Sequence, residues 1–328
     1  MDTKSKLLRL LEENRELYIS GSMLANKLSV SRNAVWKNIE QLRKDGYAIS
    51  AATRKGYRLE EQGDILSAAE INKFIQTSGV FQVEVQKTVT STNTVLRDKA
   101  EKGAPEGYVL AAQEQTAGKG RRGRTFHSPA KHGIYFSLLL RPGNKANDAT
   151  LITSAAAVAT AKAIKDIFNV ETGIKWVNDL YTDAGKICGI LTEATIGMES
   201  GLVESAVLGI GVNITKPAEG YPENLNGIIA ALTMRHTRKD SERCRLIAAT
   251  LDHFWKYYEN LSGREFLNEY RARSIVLGRD ILVLSNNEEK PAQAIEINDN
   301  CELIVRYENN EVAALSSGEV SIKRMQEE

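Results

Sequence analysis

Along residues 1–60 the apolar positions recur at helical spacing and then give way to two short strand-like runs. A leucine stripe predicts a helix over residues 3–17, and its members are Leu7, Leu8, Leu10, Leu11 and Leu17. Ser20 or Ser22 can cap a second helix over residues 23–28, and Ser31 can cap a third that ends near Gly46. Runs at 47–50 and 56–59 predict a hairpin. This order is that of a winged helix-turn-helix.

From Phe81 onward the pattern mixes many strand-like runs with a few helices. Residues 60–64 look like a linker, and the spacing of Ser67 and Glu70 is that of a capping box, which marks a new helix and a new domain. The predicted strands are residues 83–87, 108–113, 133–140, 173–181, 186–193 and 203–212, and the predicted helices are residues 94–101, 151–168 and 241–273. Strands outnumber crossover helices, which favours an α+β fold with a mostly antiparallel mixed sheet.

Short strands return after Ser274, separated by turns at residues 285–287 and 298–300. They predict a small all-β domain, expected to be a barrel. The chain of 328 residues is therefore expected to hold three domains: 1–62 for DNA binding, 63–273 for ligase chemistry and 274–328 as the small β-barrel.

Charge is distributed unevenly along the chain. Residues 1–60 hold 12 Lys and Arg against 7 Asp and Glu, a net of +5, so with +1 overall the remainder carries −4. A basic head on a mildly acidic body indicates that only the head needs a polyanion partner. The first residues lack a signal-peptide core, and no apolar run is long enough to cross a membrane, so no membrane partner is expected. Three widely spaced cysteines without a CxxC pair fit a reducing, cytoplasmic location.

The third helix of the head has the pattern of a DNA-reading helix. Val35, Ile39 and Leu42 give it one buried face, and basic and amide side chains lie off that face. The residues predicted to bind DNA are Ser31, Arg32, Asn33, Lys37, Arg54 and Lys55, with Glu40, Lys44 and Arg58 as further candidates. Trp36 is ambiguous, because it borders the core face, where a tryptophan more often packs than reads bases. The alternative is an interaction module with a solvated basic face.

A glycine-rich cationic loop is the most informative segment of the body. Residues 118–124 hold three glycines and four cations, so their backbone can approach an anion closely while the side chains neutralise it. Without a ligand the loop is expected to repel itself and be mobile. The spacing matches neither GxxxxGK[ST] nor GxGxxG. The alternative is a basic surface loop that touches nucleic acid.

Four segments resemble motifs of the biotin protein ligases, in the order of that family. Residues 118–124 (GKGRRGR) resemble its GRGRRGR loop, 91–93 its STN, 175–179 (KWVND) its KWPND, and 185–191 (GKICGIL) its GKK-x-GIL segment. Lys119 replaces an arginine, Val177 a proline, and Phe126 stands where some members have tryptophan, so an aromatic lid over the ligand is retained. Bifunctional members also carry a winged-helix head and a small C-terminal barrel similar to a Src-homology domain.

The resemblance implies two half-reactions and a second, regulatory role. Biotin and ATP with Mg²⁺ are substrates and form biotinyl-5′-adenylate, and the biotin is then transferred to a lysine of a biotin-carrier domain of the acetyl-CoA carboxylase type. Neither a tightly bound prosthetic group nor a fixed metal site is expected. The adenylate would also act as corepressor, favour a homodimer and promote binding to operator DNA of biotin genes.

The resemblance also assigns roles to individual residues. Lys186 and Arg121 are the predicted catalytic groups. The predicted biotin-binding residues are Ser91, Thr92, Asn93, Gln115, Gly118, Lys119, Gly120, Arg121, Trp176, Lys186, Gly209 and Gly211. The predicted nucleotide-binding residues are Arg122, Arg124, Phe126, Asn178, Asp179 and Asn213.

Bland alternatives stay open for several of these residues. Lys186 has the spacing of an exposed turn lysine, residues 91–93 that of a simple helix cap, and Trp176 could be ordinary core. Gly209 and Gly211 leave room for the biotin ring or mark a bulge. One of Arg122 and Arg124 could be purely structural. For the whole chain, the competing functions are a lipoate-type ligase of the same fold and a transcription factor that senses a small molecule without catalysis.

Overall fold

The computed structural model describes residues 3–14, 17–44, 47–60, 66–142, 148–196, 202–233, 241–285 and 288–322. The chain forms two compact units: residues 1–73 with 237–244, and residues 74–236 with 245–328. In the described residues no helix is both long and apolar enough to cross a bilayer.

The first unit has the predicted order of a winged helix-turn-helix. Its elements are α1 (Thr3–Glu13), α2 (Gly21–Leu28), α3 (Arg32–Lys44), β1 (Ile49–Ala52), β2 (Gly56–Leu59) and α4 (Ala68–Phe74). β1 and β2 pair antiparallel. Several boundaries differ from prediction: α2 begins two residues earlier, and β1 is shifted two residues later. α1 ends at Glu13, so Leu17 is 63% exposed and not part of the apolar stripe. Gly46 and residues 61–64 of the predicted linker lie outside the described residues.

Serine caps define the helix starts in this unit. The Met23 amide donates to Ser20 Oγ at 3.1 Å, and the Ala34 amide donates to Ser31 Oγ at 3.1 Å. Between them Ser29 adopts a left-handed conformation with φ of 53°, which ends α2. The three helices and the hairpin then enclose one core, which includes Leu7, Leu11, Leu24, Val35, Ile39, Leu42 and Leu59.

The capping box at α4 is only half formed. The Glu70 amide donates to Ser67 Oγ at 3.2 Å, as predicted. The Glu70 carboxylate, however, accepts from Lys73 at 2.8 Å and from Ser241 at 2.7 Å. The carboxylate is thus used to join α4 to a segment far along the chain.

The second unit is built on a seven-stranded mixed sheet, ordered β3-β4-β5-β9-β8-β7-β6. Its elements are β3 (Gln82–Val89), α5 (Thr92–Glu101), β4 (Tyr108–Gln115), β5 (Gly133–Leu140), α6 (Asp148–Phe168), β6 (Gly173–Lys175), β7 (Asp179–Thr182), β8 (Gly185–Ile196), β9 (Val203–Asn213), α7 (Glu242–Tyr258) and α8 (Leu267–Ala272). Only β3 and β4 pair in parallel, which confirms the α+β class with a mostly antiparallel sheet.

Three predicted elements of this unit differ in detail. The helix expected over 241–273 is two helices, α7 and α8, because a short 3-10 turn at Leu261–Gly263 separates them. The strand expected over 173–181 is a hairpin of β6 and β7, because the chain turns at residues 176–178. There Trp176 is 3% exposed, its Nε1 donates to the Cys301 carbonyl at 2.9 Å, and the Trp176–Val177 peptide is cis. α5 begins at Thr92 and not at Thr94, so the first turn contains Thr92 and Asn93.

The C-terminal residues form a second sheet of the same unit. Its strands are β10 (Asp280–Ser285), β11 (Glu288–Ile297), β12 (Leu303–Tyr307), β13 (Val312–Leu315) and β14 (Glu319–Ile322), in the order β13-β12-β11-β10-β14. All four pairings are antiparallel. Among the described residues β13 and β14 are unpaired edges, so the all-β prediction holds but closure into a barrel is not confirmed. Residues 286 and 287 of the predicted turn lie outside the description.

Candidate active site

A cavity of about 530 Å³ lies beside the sheet of the second unit and collects the predicted ligand residues. The strand and turn residues Asn178, Asp179, Lys186, Gly209, Gly211 and Asn213 line it, together with Trp176. Ser91, Thr92, Asn93 and Gln115 line it from the start of α5 and the end of β4. The cationic loop supplies Lys119, Gly120, Arg121, Arg122, Arg124 and Phe126. The four motifs, which run from residue 91 to residue 191, thus converge on one place.

Gly118 is the one predicted ligand residue that is absent from this lining. It is buried, and a Cβ there would lie 2.4 Å from the Phe126 carbonyl. The Phe126 amide donates to the Gly118 carbonyl at 2.9 Å. The glycine therefore closes the base of the loop and lets its two ends approach.

The cationic loop forms a hydrogen-bonded hairpin over residues 118–126. The Gly120 amide donates to the Arg124 carbonyl at 2.7 Å, and Lys119 bridges Thr125. At the tip, Arg122 is in the left-handed region with φ of 53°. The loop lies against the cavity, as its charge predicts, while its mobility without ligand stays a prediction.

The three arginines of the loop have different surroundings. Arg121 is half-buried and its Nη1 donates to the Gly318 carbonyl at 3.0 Å and to Asn178 Oδ1 at 3.4 Å. Arg122 is exposed and reaches the Leu284 carbonyl at 3.5 Å. Arg124 is exposed as well. Arg121 is therefore the guanidinium that the fold positions most firmly at the cavity.

Lys186 lies in the cavity as one half of an ion pair. Its Nζ is 2.7 Å from Asp179 Oδ2, and the two side chains are 24% and 19% exposed. β7 and β8 bring them together, since Asp179 pairs in register with Gly189. The other carboxylate oxygen, Asp179 Oδ1, is buried without a hydrogen-bond partner. The exposed-turn alternative for Lys186 does not hold, because its side chain lies in this cavity.

A polar network fixes the first turn of α5. The Thr92 amide donates to Gln115 Oε1 at 2.8 Å, and Gln115 Nε2 donates to Ser128 Oγ at 2.9 Å. Asn93 Oδ1 accepts from Ser137 at 2.6 Å, and its Nδ2 donates to Glu193 at 2.8 Å. Ser91 occupies the N-cap position but makes no side-chain cap bond. The alternative that Ser91 is a simple helix cap is therefore not supported, and Gln115 instead joins the start of α5 to Ser128.

The space above Gly209 and Gly211 is filled by protein side chains. A Cβ at Gly209 would lie 2.1 Å from Asn93 Oδ1, and a Cβ at Gly211 would lie 2.4 Å from the Phe126 ring. The same ring is 3.1 Å from a Cβ at Gly189, the cross-strand partner of Gly211. Without a ligand, Asn93 and Phe126 occupy the space that a Cβ at Gly209 or Gly211 would take, and both glycines line the cavity. Room for the biotin ring at these glycines, and a covering role of Phe126, stay predictions.

Sequence reasoning missed two contributors to the cavity. The turn around residues 224–229 supplies Asn224, Leu225, Ile228 and Ile229. The C-terminal sheet supplies Gly318, Val320 and Ser321. Trp176 packs beside this sheet: a Cβ built on Gly318 would lie 3.7 Å from the Trp176 ring. Trp176 is therefore both buried core and cavity wall.

In the first unit, all six residues predicted to bind DNA are exposed. The surroundings of three neighbouring residues bear on their expected roles. Arg58 donates to Glu60 through two bonds of 2.7 Å and lies 4.8 Å from the Tyr18 ring centroid, so its guanidinium is already paired in the free chain, and its contact with phosphate stays a prediction. Glu40 is paired with Arg43 at 2.7 Å. Trp36 is 53% exposed and does not pack into the core. The side chain of Lys44 lies outside the description.

Comparison with known proteins finds a match for each of the two units. The model of the biotin/lipoate A/B protein ligase family matches residues 85–213, and that of an HTH domain matches residues 3–58. The chain is 36% identical over 264 residues to the bifunctional ligase/repressor BirA of Bacillus spizizenii, covering 80% of each protein. It is 32% identical over 209 residues to the protein of the same name from Escherichia coli, covering 64% of this chain and 63% of that protein.

The chain belongs to the bifunctional ligase/repressor family.

A solved structure agrees at the level of the fold. A biotin protein ligase from Aquifex aeolicus, determined in complex with biotin and ATP, superposes with a TM-score of 0.61 and 24% identity over 74% of this chain and 99% of that one. For the bifunctional ligase/repressor family, the match at 85–213 spans β3 to β9 and so contains the cationic loop and Lys186. Gly318, which receives Arg121, lies outside that match.

Proposed function

We propose that the second unit joins biotin to a lysine of a biotin-carrier protein at the expense of ATP, and that the first unit represses transcription. The chain is a biotin protein ligase with a helix-turn-helix repressor domain. The observation that carries the catalytic proposal is the cavity in which a loop with four cations faces the Lys186–Asp179 pair. The three-domain division at residues 62 and 273 is part of the proposal.

The first half-reaction brings two anions together. An oxygen of the biotin carboxylate attacks the α-phosphorus of ATP, the bond to the β-phosphate oxygen breaks, and pyrophosphate leaves. Repulsion between the reactants is the main barrier that a protein can lower here, and preorganised cations lower it. Lys186 and Arg121 are placed for this role: Lys186 by its ion pair, and Arg121 by its bonds to Gly318 and Asn178.

The second half-reaction needs mainly positioning. The amine of an acceptor lysine attacks the acyl carbon of the mixed anhydride, AMP leaves, and the amine loses a proton. Since the adenylate is already reactive, holding it still and away from water supplies most of the advantage. The α5 network at Ser91, Thr92, Asn93 and Gln115 is proposed to bind the biotin ring, with Lys119, Gly120 and Trp176 around it.

The nucleotide is proposed to lie toward Arg122, Arg124, Asn178, Asp179 and Asn213. Mg²⁺ belongs to the ATP substrate, and the described residues hold no cluster of three metal-ligating side chains. Asp179 Oδ1 fits such a cation, because it is a buried carboxylate oxygen without a hydrogen-bond partner. Phe126 can cover a bound nucleotide only if its ring leaves Gly211.

The regulatory part of the proposal links the two units through the ligand. Biotinyl-adenylate is the proposed corepressor, and it favours a homodimer that presents two heads to a two-fold operator. One helix-turn-helix head alone makes few contacts, so pairing of heads is the usual route to specific binding. Biotin-carrier domains and operator DNA of biotin genes are the proposed partners.

Pyrophosphate release tests the catalytic proposal. The protein is mixed with Mg²⁺-ATP and either biotin, lipoate or no acid. Of the three mixtures, we expect only the one with biotin to release pyrophosphate. The amount should be near one equivalent of the protein until an acceptor protein is added. Release with lipoate but not biotin would favour the lipoate-type ligase, and no release with either acid would favour a sensor without catalysis.

A further inference from the structure

Trp36 is an exposed indole in the middle of a polar helix face. It is 53% exposed, whereas the other two tryptophans, Trp176 and Trp255, are 3% and 9% exposed. A tryptophan offers one of the largest apolar areas of any side chain, so leaving half of it in water forgoes much of the available stabilisation. The exposed half of the indole contributes nothing to the stability of the free chain through burial.

The neighbours of Trp36 on α3 are the groups that a nucleic acid would meet. The opposite face of α3 is buried, and its residues Val35, Ile39 and Leu42 are 0%, 0% and 1% exposed. The exposed residues of α3 are Arg32, Asn33, Trp36, Lys37 and Gln41. Spacings of three and four residues place Asn33 and Arg32 one turn before the indole.

The charges around this face favour a polyanion. Arg32, Lys37, Arg54 and Lys55 are exposed cations of the same unit. Glu40, the acidic residue one turn after Trp36, is paired with Arg43 at 2.7 Å, and Arg43 is also fixed by two bonds to the Ile49 carbonyl. The Glu40 carboxylate is thereby neutralised within the protein and offers little repulsion to phosphates.

We propose that Trp36 is a specificity-determining residue of the head, whose indole packs against the C5-methyl group of a thymine in the DNA major groove. The inference rests on the proposed DNA-binding function and goes beyond the basic residues assigned to it. An α-helix fits the major groove, where thymine shows the one apolar group of the four bases. The cations fix the position of the helix on the backbone, while the apolar contact distinguishes thymine from the other bases.

Selection from a random duplex library tests the proposal with the full chain in the presence of biotin and Mg²⁺-ATP. We compare the wild type with Trp36→Ala, Lys37→Ala and Leu17→Ala. Leu17→Ala is the matched control, since it removes a 63% exposed apolar side chain outside α3. We expect Trp36→Ala to lose the preference for thymine at one position and to keep the others. Lys37→Ala should keep all preferences but bind more weakly, with a salt slope smaller by about one.

The methyl group is then tested by itself. Deoxyuridine replaces thymine at the position that Trp36→Ala no longer selects, which removes only the methyl. The wild type should lose affinity by about fourfold, the effect of one buried methyl, and Trp36→Ala should lose none. DNA should also shield the wild-type fluorescence from acrylamide, because Trp36 is the exposed indole.

Three results would overturn the proposal. One is a Trp36→Ala variant that enriches the same sequences with the same weights, and another is equal sensitivity of both proteins to deoxyuridine. A wild type that enriches no sequence would remove the proposed DNA binding and this inference with it. Far-UV circular dichroism and thermal unfolding, measured in parallel, report that each variant is folded.

Discussion

Lys186 and Asp179 form a charged pair that is only partly withdrawn from water. Each side chain is about one-fifth to one-quarter exposed, so neither charge is fully removed from water. The pair uses only one carboxylate oxygen and leaves Asp179 Oδ1 without a partner. A lysine held by one bond in a cavity lined by arginines can turn toward an incoming phosphate or carboxylate at small cost.

Replacing Lys186 by alanine should nearly abolish adenylate formation while the fold survives. Loss of one preorganised donor to a developing charge lowers the rate by about 10²–10³-fold. Pyrophosphate release under single-turnover conditions measures this step. Lys162→Ala is the matched control, because it removes a lysine that is paired with Glu269 at 2.7 Å, at 34% exposure and outside the cavity lining. A Lys186→Ala variant that works at the control's rate would remove Lys186 from the mechanism.

At the residue scale, sequence reasoning finds the charged residues of motifs, but it does not predict which partners their side chains have in the fold. Lys186 and Arg121 stand in short motifs and line the predicted cavity. Arg58 was expected to be available for phosphates, but Glu60 lies two residues away and holds it. Trp36 stayed ambiguous in the sequence, because helical spacing alone cannot tell the edge of a buried face from its centre, and the structure leaves it 53% exposed. These outcomes depend on side-chain partners that no spacing rule contains.

At the scale of elements, the Phe126 ring can lie against the sheet only because two neighbouring strands lack side chains at paired positions. Gly189 on β8 and Gly211 on β9 are paired in register, and the Phe126 ring lies on both. Phe126 also meets Tyr135 edge to face, with ring centroids 6.3 Å apart. Sequence shows the glycines, but not that a ring from the cationic loop fills the space above them.

Gly211→Ala should therefore destabilise the protein through Phe126 and not through the backbone. A new Cβ would lie 2.4 Å from the ring, and overpacking of this kind costs about 1–3 kcal/mol. Thermal unfolding of the four proteins of a double-mutant cycle with Phe126→Ala measures the coupling. In the Phe126→Ala background the cost of Gly211→Ala should largely disappear. Equal costs in both backgrounds would show that the ring does not rest on Gly211.

The parallel pair of β3 and β4 carries a pH-dependent contact. Burial raises the pKa of Glu84, but hydrogen bonds from Tyr108, Gln86 and Lys99 outweigh it and lower the pKa to about 2 from an ordinary value of 4.5. A carboxyl group whose pKa is lower in the folded state stabilises the fold above its unfolded pKa and loses that contribution as the pH falls through the folded one. The stabilisation is thus complete above about pH 4.5 and is lost toward pH 2.

Comparison of the wild type with Glu84→Gln isolates this contribution. We expect the wild type to unfold at a higher temperature at pH 6, and the difference to shrink steadily between pH 4.5 and pH 2. Because the side chain is about one-third exposed, solvent screening keeps the effect small. A difference in Tm that stays constant over this range would contradict the assignment.

Element boundaries follow from sequence wherever capping and periodicity agree. β5 is found over the predicted residues 133–140, and α3 begins after its serine cap. The prediction fails at 173–181, where Trp176 turns inward to the Cys301 carbonyl across 125 positions of sequence. A contact of that range is invisible to a local pattern, and it converts one strand into two.

At the scale of the whole molecule, the same kind of long-range contact completes the site. The C-terminal sheet was predicted as a separate barrel, yet Gly318, Val320 and Ser321 line the cavity and the Gly318 carbonyl receives Arg121. Domain order and fold class can be inferred from sequence, because each depends on local periodicity and composition. Which domain covers the cavity depends on packing between sheets, and only the structure reveals it.

The cationic loop also connects ligand binding to assembly in the proposed function. Four cations on residues 118–124 repel one another until an anion neutralises them, so an adenylate should favour one ordered loop arrangement. An ordered loop can then take part in a dimer contact that a fluctuating loop makes only at an entropic cost. Two heads held together bind a two-fold operator far more strongly than one.

Light scattering measures this coupling directly. The mass should be near 36.3 kDa without ligand and near twice that value with biotin and Mg²⁺-ATP together, while either substrate alone should have little effect. Lys186→Ala separates ligand formation from ligand response: it should remain at the smaller mass with both substrates and shift when the adenylate is supplied ready-made. A mass that is the same in all conditions would rule out ligand-driven dimerisation while leaving the ligase reaction intact. The proposed repressor would then have to bind its operator either as a monomer or as a dimer that exists before ligand arrives.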